Sequence, residues 1–159
     1  MARHALGRTP RGRPLAQLAA LVLAVVFLLI GVLGFIPGIT TDYYDLRFAG
    51  HHSEAKLFGV FQVSVLHNLV HLAYGVVGLV LARTMAGVRL FLIGGGAVYL
   101  VLWIYGLAVV GRGSANFIPV NNADNYLHLL LAIGMLALGL LLSKRAGTNG
   151  RLDNPIGSP

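Results

Sequence analysis

Four uninterrupted apolar stretches, Leu15 to Ile36, Leu57 to Ala82, Leu90 to Val110 and Tyr126 to Leu142, take up more than half of the chain. A helix needs roughly 20 apolar residues to cross about 30 Å of hydrocarbon, and inside lipid its backbone polar groups have to be paired within the segment. Only the fourth stretch is short, and a start near Asn122 lengthens it. Asn122 reads as an N-cap, and Asp124 then falls in the first turn, where the helix dipole favours a negative charge. The expected fold is an all-α integral membrane protein, a four-transmembrane-helix bundle over residues 15–145, with helices at about 15–36, 54–83, 88–110 and 122–143. Composition agrees: 11% of residues are charged, where a soluble domain carries about 25%.

The flanks set the expected orientation. Arg3, Arg8, Arg11 and Arg13 make residues 1–14 a basic segment that resembles the start of a signal peptide. Signal h-regions run about 7 to 15 residues, whereas this stretch continues to Phe35, Ile36 and Pro37, so it reads as a retained anchor. Nine of the twelve Lys and Arg residues fall in the N-terminal segment, at Arg83 and Arg89, or in the C-terminal tail. Only Arg47, Lys56 and Arg112 fall on the other side, together with Asp42, Asp45, Glu54 and Asp124. Cytoplasmic loops keep the positive excess, so both termini are expected in the cytoplasm, with the protein in the inner membrane. The tail over 146–159, rich in Gly, Asn and Pro, reads as disordered. Basic residues flank apolar runs and do not interleave with aromatic rings, which excludes a nucleic-acid partner. The expected partners are the lipid bilayer and a second copy or another membrane protein.

An internal repeat follows from comparing the chain with itself. Phe35-Ile36-Pro37 followed by Asp42 matches Phe117-Ile118-Pro119 followed by Asp124, at the same spacing. Leu66-His67, Gly78 and Arg83 match Leu127-His128, Gly139 and Lys144. Two parallel hairpin repeats are therefore expected, with about twenty extra residues from Tyr43 to Ser64 in the first. Equal distances from the cytoplasmic anchors put His67 and His128 at one depth, and Tyr105 on the third helix at nearly the same height.

The second helix carries Ser64, His67, His71, Tyr74 and Gly78 on one stripe, with Gln62 and Asn68 off it. Ionisable side chains in hydrocarbon cost a few kcal/mol when unpaired, so the stripe is expected to face the bundle. The expected buried polar layer comprises Ser64, His67, Asn68, His71, Tyr105, Asp124 and His128. Its plainest role is interhelical hydrogen bonding, with Asp124 holding His128 and Tyr105 or Asn68 serving the other imidazoles. Two alternatives involve a cofactor. His67, His71, His128 and Asp124 are the donor types for a metal ion, and His67 with His128 are candidate axial ligands of a b-type haem, which would make the protein redox-active. A proton relay, as a proton-coupled transporter or a pH sensor, is a further reading. The word His67-Asn68-Leu69-Val70-His71 lacks the Glu of a helical zinc protease, and no nucleophile-base arrangement is readable. Gly75, Gly78, Gly94-Gly95-Gly96, Gly134 and Gly139 are expected at close helix contacts. Absent cysteine excludes disulfides and thiolate-bound metals. A non-enzymatic accessory or interaction subunit without catalytic residues fits these features best.

Several words are also distinctive as words: Gly34-Phe35-Ile36-Pro37-Gly38, Leu57-Phe58-Gly59-Val60-Phe61, His67-Asn68-Leu69-Val70-His71-Leu72, and Asn121-Asn122-Ala123-Asp124-Asn125 before Leu127-His128. Together they resemble a bacterial integral membrane family catalogued as domain-of-unknown-function family 4383, over about Leu15 to Leu142. The resemblance implies a four-helix inner-membrane protein and supplies no activity.

Overall fold

The computed structural model describes residues 15–149, with side chains to Leu141. It is mostly helical: α1 spans Leu15–Leu33, α2 Val65–Leu81, α3 Met85–Val109 and α4 Asn122–Asn149. By length and composition α1, α3 and residues 122–141 of α4 suffice to cross a membrane, and α2 is a shorter apolar helix. The basic segment 1–14 lies outside the described residues, as does the tail from 150. Residues 146–149, expected to be disordered, continue α4 as helix.

The second apolar stretch is not one helix. Its first part folds back as strands β2 (Lys56–Leu57) and β3 (Phe61–Gln62), and β1 (Thr40–Thr41) pairs antiparallel with β2. The chain is thus not purely α-helical. The reason is legible in the pattern. Ala55, Leu57 and Val63 are buried while Phe58 and Val60 are exposed, a period of two that suits a pleat. Between the strands Phe58 and Gly59 both take positive φ, 54° and 70°, the conformation of a type I′ hairpin turn. The hairpin packs its buried residues on Ile30 and Leu33 at the end of α1. Helix α2 starts only after it, with Ser64 as N-cap: the His67 N–H donates to Ser64 Oγ at 3.1 Å.

Helices pack in two close pairs, α1 with α2 and α3 with α4. Along α1, Ala16, Ala20, Ala24, Phe27 and Gly31 form the buried face. Against it lie Gly75 and Gly78 of α2. A Cβ on Gly75 would stand 2.8 Å from the Ala24 carbonyl oxygen, and one on Gly78 2.8 Å from the Ala24 Cβ. Small residues let the backbones meet, the device by which helices associate in lipid. In the second pair Gly96 admits Leu136 and Gly139 admits Ile93. Gly94 and Gly134 do not serve this purpose: a Cβ on Gly134 meets nothing within 4 Å, and one on Gly94 only Leu90 at an ordinary 3.6 Å. Instead Gly94 closes a π-helical turn, Leu90–Gly94, within α3. Outward positions such as Val22, Leu29, Val77, Val101, Leu130 and Leu141 are apolar and exposed, as lipid-facing residues should be.

Candidate functional site

Helix α4 is set in place by its cap. Asn121, one residue before the helix, is the N-cap rather than Asn122. The Asp124 N–H donates to Asn121 Oδ1 at 3.0 Å, and the Asn121 N–H donates back to Asp124 Oδ2 at 2.9 Å, a reciprocal capping box. The same carboxylate oxygen accepts the Gln62 N–H at 2.9 Å, and Asn121 Nδ2 donates to the Val60 carbonyl at 2.7 Å. Asp124, 3% exposed, therefore joins the β-hairpin to α4. It is committed to backbone amides, and the expected bond from Asp124 to His128 is not made.

Tyr105 also departs from expectation. Its hydroxyl donates to the Ala115 carbonyl at 3.0 Å and accepts the Ile118 N–H at 3.1 Å, holding the connection between α3 and α4. It is not in the imidazole layer. Its place is taken by Tyr99, six residues earlier and about a third of a turn away around α3. Asn68 turns to the other flank of α2, onto Gly34, where a Cβ would overlap its side chain.

The three imidazoles do come together, by way of a run of rings drawn from all four helices. His67 and His71 of α2 stand edge to face at 4.6 Å between centroids. His71 lies 5.8 Å from Phe27 of α1, which stacks on Tyr99 of α3 at 5.6 Å and 7°. Tyr99 in turn lies 5.4 Å from His128 of α4. Tyr74 meets Phe27 edge-on at 4.8 Å, and its hydroxyl lies over Gly95, where only a hydrogen fits.

Two cavities flank this run. The first, about 210 Å³, lies between α2, α3 and α4 and is closed above by Phe117-Ile118-Pro119. The second, about 220 Å³, lies beneath the β-hairpin and reaches Asp124. His67, His71 and His128 line both, so the imidazoles form the partition between them. Their Nδ1 atoms and the Tyr74 hydroxyl are buried with no hydrogen-bond partner among the described residues. The expected interhelical hydrogen bonds of the imidazoles are thus absent at these atoms. Of the expected layer, Ser64, His67, His71 and His128 share the first cavity, while Asp124 reaches only the second. Tyr74, Tyr99 and the Phe117–Pro119 segment complete the site.

A family model described as a domain of unknown function (DUF4383) matches residues 17–141. The chain belongs to this family. No curated protein and no solved structure matches it. The functional reading of this DUF4383 chain therefore stands on its own geometry. Among the described residues no three His, Cys, Asp or Glu side chains are placed to hold a metal ion. The set His67, His71, His128 and Asp124 is not assembled as donors, because the carboxylate faces the hairpin amides. A haem fits no better. Neither cavity that His67 and His128 line, about 210 and 220 Å³, has room for a macrocycle between them. What this DUF4383 site offers is neutral hydrogen bonding: a neutral imidazole has one donor and one acceptor nitrogen, and a phenol does both.

Proposed function

We propose that the protein is a non-enzymatic accessory subunit of the bacterial cytoplasmic membrane that holds a small uncharged ligand at its imidazole partition. One observation carries this reading: His67, His71 and His128, drawn from both helix pairs, line open volume, and their Nδ1 atoms are buried without partners. An unsatisfied buried polar group costs about 1 to 3 kcal/mol. A chain carries that cost where function needs it. The lining has no nucleophile paired with a base, which supports binding over catalysis.

The protein crosses the membrane four times, with both termini cytoplasmic. The distribution of Lys and Arg supports this orientation, and the exposed apolar faces of all four helices support four spans. With 17 residues, α2 rises only about 25 Å, and the β-hairpin makes up the outer end of its span. The two helix pairs are copies of one hairpin. Supporting the duplication, each pair contributes the matched His, His67 or His128, to one site. Lipid is the immediate partner, and a second copy or another membrane protein is the wider one.

The test is stability in detergent. If the imidazoles serve a ligand, His71→Phe and His128→Phe relieve unsatisfied groups, and the purified variants melt at or above the wild-type temperature. If they are structural hydrogen-bonding groups, each variant loses about 1 to 2 kcal/mol, and the ligand-site reading fails.

A further inference from the structure

We infer that the first cavity takes the headgroup of a lipophilic quinone or quinol, an inference that rests on the ligand-site reading above. The size, the wall and the entrance each narrow the choice. A cavity of about 210 Å³ admits one substituted six-membered ring and no macrocycle or acyl chain bundle. Its described lining contains no Lys, Arg, Asp or Glu, so nothing there neutralises a phosphate or a quaternary ammonium. A phospholipid headgroup is therefore a poor occupant, because a charge in a low-dielectric site needs a counter-charge. The wall is otherwise apolar and aromatic, with Tyr74, Tyr99 and Phe117 able to pack against a flat ring.

The polar atoms match oxygens carried on such a ring. His71 and His128 are 8% and 4% exposed, and their Nδ1 atoms have no partner. The Tyr74 hydroxyl is turned away onto Gly95, so its ring and not its oxygen faces the cavity. His71 on α2 and His128 on α4 put imidazoles at two places around the cavity, which suits a ring with an oxygen on each of two edges. Neutral imidazole also accepts, so either the carbonyl form or the hydroxyl form finds a partner.

The entrance faces lipid. Val70 of α2 and Val98 of α3 line the cavity and are also 53% and 52% exposed, on faces that are otherwise apolar. These two helices belong to different close pairs, so the opening is the seam between the pairs. A ligand dissolved in the membrane enters sideways and leaves its apolar tail between α2 and α3. The charged ends of the protein are not involved.

The experiment uses the full-length protein in nanodiscs of phosphatidylethanolamine and phosphatidylglycerol. It is titrated with decylubiquinone and, separately, with decylbenzene, which has the ring and the tail but no oxygens. Saturable binding of decylubiquinone at one per chain is expected, with decylbenzene at least about tenfold weaker, the equivalent of one hydrogen bond of 1.4 kcal/mol. Val98→Trp, which blocks the mouth, and His71→Phe should each weaken decylubiquinone by about tenfold or more. Should Val98→Trp fail to fold, Leu102→Trp narrows the same cavity. Equal binding of the two probes, binding unchanged in the blocked variants, or no saturable binding overturns the assignment. If in that event His71→Phe and His128→Phe still melt at or above wild type, only the ligand class has failed. If they melt lower, the site itself has failed.

Discussion

In Asp124→Ala protein the β2–β3 hairpin comes away from α4, and the fold loses about 3 kcal/mol. Asp124 Oδ2 accepts two backbone N–H groups, from Gln62 and from Asn121, both at 2.9 Å. Leaving a buried N–H without an acceptor costs about 1 to 3 kcal/mol, and alanine supplies no replacement for either bond. The loss also removes a capping residue, and with it the negative charge at the positive end of the α4 dipole. Amide hydrogen exchange reads the effect residue by residue. Protection should fall sharply at Gln62 and Asn121, while amides in the middle of α1 and α2 keep theirs. Asp124→Asn retains one oxygen and should lose roughly half as much. Unchanged protection at Gln62 in Asp124→Ala would show that the hairpin holds its place without the carboxylate.

Gly75→Val should separate α1 from α2, with a cost of about 3 kcal/mol or outright failure to fold. The Cβ alone would stand 2.6 Å from Leu28 Cγ and 2.8 Å from the Ala24 carbonyl oxygen. The leucine can turn away, but the carbonyl belongs to the α1 backbone and moves only if the whole helix moves. Van der Waals packing across this contact is what holds helices together where there is no water to exclude. A matched control lies on α4. A Cβ at Gly134 meets nothing within 4 Å, so Gly134→Ala should be neutral, or stabilising by up to about 1 kcal/mol through helix propensity. Thermal melts of the two purified variants measure both. Comparable melts would mean that the close approach of α1 and α2 is not a determinant of the fold.

Much of this architecture can be read from the chain. Long apolar stretches locate α1, α3 and α4 because length and hydropathy are one-dimensional quantities that do not depend on neighbours. The stripe of His67, His71 and Tyr74 is equally legible, since spacings of three and four fix one side of a helix. What the pattern of one segment does not reveal is which second element several side chains meet. In Leu57 to Val63 the apolar count outweighed the alternation of buried and exposed positions, and a turn at Phe58-Gly59 was read through as helix. Height alone places Tyr105 beside the imidazoles, but height does not set azimuth: Tyr99 and Tyr105 stand about 120° apart around α3, and it is Tyr99 that meets His128. For Asp124 the residue four positions on was the obvious partner. Its real partner, the Gln62 amide, is 62 residues away in sequence and belongs to a strand that was not foreseen.

The central claim is that imidazoles from both helix pairs share one buried site within the lipid-embedded bundle. Magic-angle-spinning NMR of ring-labelled, full-length protein in bilayers tests this most directly. Through-space cross-peaks are expected linking His67 to His71, and His128 to Tyr99, with none from the His71 or His128 rings to acyl chains. Strong cross-peaks between the His128 ring and lipid methylenes, with none to Tyr99, would contradict it.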